Sequence, residues 1–160
     1  MLTQAQVKEL FDYDPETGHL IWSVDRGKCK TKGKVAGTKH VLGYIYIKIY
    51  GKNYRAHRLV WLWHYGGLPK NQLDHISGDR ADNRIENLRE ATNAQNLQNQ
   101  RKARLGSKSG YIGVSMIGNK WMARIMVCGK STYIGIYDDP ISAHKAYIEK
   151  KRKLHSFNVL

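Results

Sequence analysis

A polar, basic segment without apolar periodicity interrupts the chain beyond its midpoint. It reads QNQRKARLGSKSG from Gln98 to Gly110, and it separates two regions in which apolar residues recur regularly. Such a composition is typical of a flexible linker. A chain of 160 residues is long enough for one sizeable core or for two small ones. We therefore expect two folded parts, residues 1–98 and 109–160, joined by a basic linker at residues 99–108.

The first part combines short helical and strand patterns. TQAQVKELF predicts a helix capped by Thr3, with Val7, Leu10 and Phe11 on one face. In GYIYIKIYGKNYRAH, isoleucines alternate with tyrosine and lysine before a turn at Gly51. This alternation predicts a β-hairpin with its isoleucine face in the core. The run HRLVWLWHYG that follows is typical of an apolar helix.

The second part predicts a small sheet followed by one helix. Three short strand patterns, YIGVSM, KWMARIMV and TYIGIY, are separated by Gly-Asn and Gly-Lys turns. The expected inner face of the middle strand consists of Trp121, Ala123, Ile125 and Val127. An aspartate followed by Pro140 predicts the start of the helix. Its expected buried stripe consists of Ala143, Ala146, Tyr147 and Leu154. The fold class is therefore α+β.

The charge balance is strongly positive, since 27 Lys and Arg against 13 Asp and Glu give a formal net charge of +14. Such a surplus favours a polyanionic partner, because neutralising phosphates releases condensed counterions from nucleic acid. No apolar run approaches the roughly 20 residues of a membrane-spanning helix, and MLTQAQVKEL is not typical of a signal peptide. We expect no membrane partner and a cytoplasmic location. The two cysteines lie far apart, which argues against a disulfide framework and against cysteine-bound zinc.

The acidic residues cluster, and one cluster from Asp74 to Glu90 is flanked on both sides by chain whose charged residues are all basic. The pattern is equally compatible with a cation held next to bound phosphates and with acidic turns on the surface. The cluster does not fit an EF-hand calcium loop, because a loop beginning at Asp74 or Asp79 would place Ile76 or Ala81 at its third position.

Other chemistries are less compatible with this cluster. The nearby histidines lack the spacing and the cysteine partners of a zinc site, and no GxSxG turn presents a serine for a catalytic triad, although residue order alone does not exclude one. Metal-assisted phosphodiester hydrolysis does match, because Asp74 can supply a charged ligand to Mg²⁺ and the adjacent His75 can accept a proton from water. An isolated Asp-His dipeptide is more often an exposed turn.

Three motifs that follow in order give this dipeptide a context. They are HR at His57 and Arg58, the run DHxxGDxxDNRxxNLR from Asp74 to Arg89, and AT followed by AQN ending at Asn96. Together they resemble the HNH endonuclease family, in the form found in phage and intron-encoded homing enzymes. The resemblance implies a ββα-metal (His-Me finger) fold and cleavage of DNA.

The resemblance also implies roles for particular residues. His75 matches the general base, and Asn87 matches the asparagine that pins the loop and orients the histidine strand. Asp74 and Asn96 match the ligands of one divalent metal ion, Mg²⁺ first and Mn²⁺ as the alternative. Many family members have histidine where this chain has Asn96, so metal affinity should depend more on Asp74 and on the DNA phosphate.

Cationic residues of the first part and of the linker are expected to contact DNA. They are Arg58, Arg84, Arg89, Arg101, Lys102 and Arg104. Asn83 is conspicuous in the same motif, and we assign it to loop closure.

The motifs SGYIGV, KWMARI, YIGIYDDPISAHKAY and HSFNV in the second part resemble the ethylene-response-factor type of DNA-binding domain, also known as the APETALA type. The resemblance implies a three-stranded sheet, backed by one helix, that lies in the major groove. Ile112, Ser115 and Met126 stand where that family usually carries arginine, so its target sequence does not transfer. The expected DNA contacts here are Lys120, Arg124, Lys130 and Tyr133.

These patterns favour a metal-dependent, phage-type DNA endonuclease acting on double-stranded DNA, as a monomer or a homodimer. A rival interpretation is a catalytically silent DNA-binding regulator on the same scaffold. RNA as the substrate is a third possibility, favoured by no specific residue.

Overall fold

The computed structural model of the chain describes residues 2–100, 103, 106–127, 129–155 and 157. The chain forms two compact units, Met1–Thr92 and Asn93–Leu160. The division falls inside the segment that the sequence assigns to the nuclease motif. The predicted domain limits of 1–98 and 109–160 therefore stay predictions.

The first unit alternates short helices with three small antiparallel sheets, β1–β2, β3–β4–β5 and β6–β7. Its elements are α1 (Gln4–Leu10), β1 (Phe11–Tyr13), β2 (Leu20–Trp22), β3 (Thr38–Lys39), β4 (Ile45–Ile49), β5 (Lys52–Arg55), α2 (Ala56–Tyr65), β6 (Gln72–His75), a 3₁₀ turn (Ile85–Asn87) and β7 (Leu88–Ala91).

Local sequence signals account for most of these elements. Thr3 and Gln6 form a reciprocal capping box, in which each side chain accepts a hydrogen bond from the other's backbone N–H, at 3.3 and 3.0 Å. Helix α2 ends at Gly66, whose N–H donates to the carbonyl of Leu62. Ile47 and Ile49 are buried, which confirms the predicted core face of the β4–β5 hairpin.

The core of the first unit is formed by the two helices, the β1–β2 pair and the β4–β5 hairpin. Burying one aliphatic or aromatic side chain of this kind stabilises a fold by roughly 1.5–3 kcal/mol. The most deeply buried side chains are Val7, Phe11, Leu20, Ile47, Ile49 and Val60.

The second unit is a three-stranded sheet with one long helix and one short helix. Its elements are α3 (Asn93–Gln98), β8 (Val114–Ile117), β9 (Lys120–Val127), β10 (Lys130–Tyr137) and α4 (Pro140–Leu154). The strand order is β10–β9–β8, and every pair is antiparallel. Its buried core consists of Val114, Ala123, Ile125, Ala143 and Tyr147. This architecture agrees with the three strands and the helix expected from the sequence.

Two details differ from the sequence prediction. Strand β8 begins at Val114 and not at Tyr111, because Gly113 has a φ of +75° and the ring of Tyr147 fills the space where a Cβ would lie. Leu154, predicted to be buried, is 41% exposed, since it is the last residue of α4. In its place Lys151 is fully buried, and its Nζ donates to the carbonyl of Gln100 at 2.6 Å.

None of the helices within the described ranges combines the length and the apolar character needed to cross a lipid bilayer.

Candidate active site

The β6–β7 pair holds the Asp-His dipeptide inside the first unit. In the register of this pair Asp74 lies opposite Arg89, and His75 lies opposite Leu88. Successive strand residues point to opposite sides, so the carboxylate and the imidazole have different surroundings. Asp74 is 8% exposed and His75 is 4% exposed. An isolated Asp-His dipeptide usually indicates an exposed turn, but here both residues are buried on a strand.

The buried carboxylate of Asp74 is paired with the arginine across the strands. Nε and Nη2 of Arg89 both donate to Oδ2 of Asp74, at 3.1 and 3.0 Å. Charge-assisted bonds of this kind are stronger than neutral ones. The pair fixes the orientation of the one carboxylate that the sequence assigns to a metal ion.

Asn87 fastens both ends of the loop that follows His75. Its Oδ1 accepts from the N–H of Ser77 at 2.7 Å, and its Nδ2 donates to the carbonyl of Asp82 at 2.8 Å. Its own carbonyl accepts from the N–H of Ile76 at 2.8 Å. One buried amide thus sets the shape of the loop next to His75. The catalytic role assigned to Asn87 stays a prediction.

The loop after His75 brings Asn83 into contact with the imidazole of His75. Asn83 is 2% exposed, and its Oδ1 lies 3.3 Å from Nε2 of His75. An amide oxygen only accepts, so in this arrangement Nε2 carries the hydrogen and Nδ1 carries the lone pair of the ring. Burial lowers the pKa of His75 below its ordinary value, while Asn83 and Asp74 act in the opposite direction. The ring is therefore neutral near pH 7.

A second histidine, His57, packs against His75. The ring centroids are 5.0 Å apart and the planes meet at 81°. Burial and the neighbouring His75 lower the pKa of His57 to about 3. Within the described part of the chain its buried Nδ1 has no hydrogen-bond partner. The sequence motif contained His57, but neither spacing nor pattern indicated its contact with His75.

The N-terminal β1–β2 hairpin supports the loop from the other side. The hydroxyl of Tyr13 accepts from the N–H of Ile85 at 2.9 Å. Gly18, with a φ of +73°, lies against the backbone of the loop. A Cβ at this position would come within 2.2 Å of the backbone nitrogen of Arg84 and 2.5 Å of the carbonyl carbon of Asn83. Sequence reasoning missed both residues, because they lie far from the motif along the chain.

The arginines of the first unit that were predicted to bind DNA differ in their partners. Arg84 donates to Asp82 through Nε at 2.9 Å and Nη2 at 2.7 Å, and this bond holds the pKa of Asp82 below its usual range. Arg89 is engaged by Asp74, and Arg58 is half-buried on α2. Their DNA contacts stay predictions. Three further predicted contacts, Arg101, Lys102 and Arg104, lie outside the described residues.

The predicted DNA contacts of the second unit lie on its sheet. Arg124 and Tyr133 are directly opposite each other on β9 and β10, so they share a face, and both are exposed. Lys130 pairs with Val127, which places it on the other face by strand alternation. Lys120 is exposed and lies 2.8 Å from Asp138. Their roles in binding stay predictions.

The two predicted metal ligands lie on different elements. Asp74 lies on β6, and Asn96 is half-buried on α3. Among the described residues, no three His, Cys, Asp or Glu side chains gather into a metal centre. A carboxylate oxygen and an amide oxygen are each the kind of donor that Mg²⁺ prefers. Both assignments stay predictions.

Part of the chain matches the model of a known protein family. Residues 54–98 match the model of a family described as HNH endonuclease. The matched stretch contains β6, the pinned loop, β7 and α3, together with Asp74, His75, Asn87 and Asn96. The match supports the resemblance seen in the motifs, and it suggests nuclease activity on DNA. The mixed α and β elements are compatible with an HNH nuclease, while the ββα-metal arrangement stays a prediction. No curated protein and no solved structure matches the chain.

Proposed function

We propose that the protein is a metal-dependent DNA endonuclease in which His75 is the general base. The observation that carries this proposal is the setting of the imidazole: His75 is buried, held through Nε2 by Asn83 at 3.3 Å, and adjacent to Asp74 along the same strand. These residues lie within the stretch that matches the HNH model.

The reaction is hydrolysis of one phosphodiester bond. The neutral imidazole of His75 takes a proton from a water molecule, and the water oxygen forms a bond to phosphorus. The bond between phosphorus and the 3′ oxygen breaks, and that oxygen acquires a proton from solvent. The products carry a 5′ phosphate and a 3′ hydroxyl.

Asp74 and Asn96 would hold one divalent cation, Mg²⁺ first and Mn²⁺ second. When bound, the cation supplies Lewis-acid stabilisation of the charge on the phosphate and on the leaving oxygen. Arg89 keeps Asp74 oriented, and Asn87 keeps the loop next to His75 closed. The exposed Arg124 and Tyr133 of the second unit would bind the duplex outside the reacting bond, in keeping with the ethylene-response-factor-like motifs. A homing enzyme of the phage type is the biological setting that these motifs favour.

Incubation of supercoiled plasmid with the purified protein and Mg²⁺ tests the proposal. We expect conversion to open-circular or linear DNA, which EDTA stops. His75→Ala and Asp74→Asn should abolish cleavage and retain DNA binding, whereas His19→Ala, which removes an exposed histidine of the same unit, should leave cleavage unchanged. DNA binding without any cleavage by the unaltered protein would support a silent regulator and reject the nuclease.

A further inference from the structure

Two exposed arginines gather around one tyrosine ring beside the candidate base. Tyr44 immediately precedes β4, and the guanidinium carbons of Arg55 and Arg80 each lie 4.9 Å from its ring centroid. The same ring lies 6.0 Å from the ring of His75 and 5.3 Å from that of His57. Two cationic groups are thus concentrated next to the histidine pair.

Arg80 is held by Leu42 and Tyr44. Its Nη1 donates to the carbonyl of Leu42 at 3.0 Å. A Cβ built on Gly43 would lie 3.6 Å from Arg80 Cβ and 3.8 Å from Cδ, so the stem of Arg80 passes beside Gly43. Its guanidinium group lies over Tyr44. An exposed arginine normally samples many rotamers, and ordering one costs conformational entropy, so these contacts place Arg80 before any ligand arrives.

Arg55 is ordered in a similar way from the β4–β5 hairpin. Its Nε donates to the hydroxyl of Tyr46 at 3.1 Å, and the guanidinium group stacks on Tyr44. Tyr46 and Arg55 are direct partners in the strand register, which sets the path of the arginine side chain. The hairpin therefore presents this second cation in a fixed position.

Among the residues that the structure describes, neither arginine is paired with a carboxylate. Across the described residues, Arg55 and Arg80 take part in no ion pair, whereas Arg84 and Arg89 are each bound to an aspartate. The two guanidinium carbons are separated by no more than twice 4.9 Å, so the like charges repel each other. Each guanidinium has five N–H donors and spends one on the contacts described above. An anion with several acceptor oxygens would relieve the repulsion and use the remaining donors.

We propose that Arg55, Tyr44 and Arg80 form a phosphate clamp that binds a backbone phosphate of duplex DNA beside the bond to be cut, an inference that rests on the proposed function for its location next to the scissile phosphate. The tyrosine ring is the platform that aligns the two guanidinium groups, and the arginines supply the charge and the hydrogen bonds. The clamp explains why these two cations gather on a tyrosine ring beside His75 and take part in no ion pair among the described residues.

Equilibrium binding of the full chain to a duplex oligonucleotide, in EDTA and over a range of NaCl concentrations, tests the clamp without requiring cleavage. Each phosphate contact contributes about 0.9 to the slope of log K against log salt concentration. We expect Arg55→Gln and Arg80→Gln each to reduce the slope by about 0.9, and the double variant by about twice that amount. Tyr44→Phe should keep the slope, since the ring remains, and Tyr44→Leu should reduce it.

Arg26→Gln is the matched control. Arg26 is also exposed and stacked on an aromatic ring, 4.6 Å from the centroid of Trp22, but it has no contact with the histidine pair among those described. Its loss should leave the slope unchanged. Arg80→Lys keeps the charge and should restore most of the slope, which separates the clamp from a folding defect. A double variant whose slope equals that of Arg26→Gln overturns the clamp.

The outcomes distinguish the two proposals. Plasmid cleavage by the unaltered protein with an unchanged slope in the double variant rejects the clamp alone. No cleavage with Mg²⁺, together with a reduced slope in that variant, rejects the nuclease and supports a phosphate contact at Arg55 and Arg80.

Discussion

His57 and His75 meet edge to face in the interior of the first unit, with ring centroids 5.0 Å apart. Both imidazoles are buried, and burial lowers the pKa of each. For His57 the positive charge that His75 would carry is the second cause of the decrease. A charge on either ring therefore disfavours a charge on the other, and the pair is neutral near pH 7.

Acid should destabilise the protein through His57. Its pKa is about 3 in the folded chain against an ordinary value of 6.5, so between these values the unfolded chain binds more protons. The free energy of unfolding then rises with pH, by up to ~1.4 kcal/mol per pH unit for this one group, and the contribution is complete above pH 6.5. Urea unfolding followed by tryptophan fluorescence at a series of pH values measures this slope.

His57→Phe provides the comparison for that slope. The variant keeps an aromatic ring and removes the titrating group, so the stability should depend less steeply on pH, with the contribution of His75 remaining. Asn71→Ala, at an exposed position that does not titrate, should reproduce the unaltered slope. An unchanged slope in His57→Phe would contradict the assignment.

Gly18→Ala should destabilise the first unit and displace the loop. The new Cβ would approach backbone atoms of Asn83 and Arg84 that cannot move independently of the loop. Overpacking of this kind costs about 1–3 kcal/mol beyond the left-handed backbone penalty. Gly27→Ala is the matched control, because its φ of +58° is also positive and nothing lies within 4 Å of its Cβ position. That variant should lose only about 1–2 kcal/mol. If urea unfolding showed equal losses of unfolding free energy in Gly18→Ala and Gly27→Ala, the close contact at Gly18 would be excluded.

Asn83→Ala should slow cleavage without weakening DNA binding. The substitution removes the oxygen 3.3 Å from Nε2 of His75, so the imidazole loses its orientation while the DNA-facing surface stays. Misplacing a reacting group in this way lowers the cleavage rate by roughly tenfold to a hundredfold. Single-turnover cleavage gives the rate, and binding in EDTA gives the affinity. Asn71→Ala, at an exposed asparagine just before β6, should cut at the unaltered rate. The role fails if the two variants cleave equally fast.

Asp139→Ala should lower the midpoint of thermal unfolding of the full chain by a few degrees. The carboxylate of Asp139 accepts from the N–H groups of Ile141 and Ser142, both at 2.9 Å, at the start of α4. Asp138→Ala tests the neighbouring carboxylate, whose partner is the exposed Lys120. An exposed ion pair contributes little, so this variant should unfold near the unaltered temperature. A larger decrease of the unfolding midpoint in Asp138→Ala than in Asp139→Ala would show that the cap is not the dominant contribution to stability.

The elements with strong local signals could be predicted from the sequence. Alternation gave the β4–β5 hairpin and the inner face of β9, and the caps at Thr3 and Asp139 gave the starts of two helices. These signals act over a few residues, so a single sequence contains them. The same local reasoning singled out Asp74 and His75 through the spacing of a motif, and both lie within the stretch that matches the HNH model, while their roles stay predictions.

The surroundings of the dipeptide could not be predicted, because they depend on contacts between distant segments. Nothing near Tyr44 in the sequence indicates that Arg55 and Arg80 stack on its ring. Likewise Arg84 and Arg89 look like cations available to DNA, whereas the fold places each against an aspartate. Charge in a sequence does not specify whether it is neutralised in the fold.

The bond between Tyr13 and Ile85 joins residues 72 positions apart, and Gly18 touches the same loop from the same hairpin. The stretch that matches the HNH model begins at residue 54, so it contains the side chains proposed to react but not this support. An excised peptide spanning residues 54–98 would carry the motif without the partners that shape it. The motif alone therefore lacks the contacts that shape its loop. Grafting it into another scaffold would require the N-terminal hairpin as well.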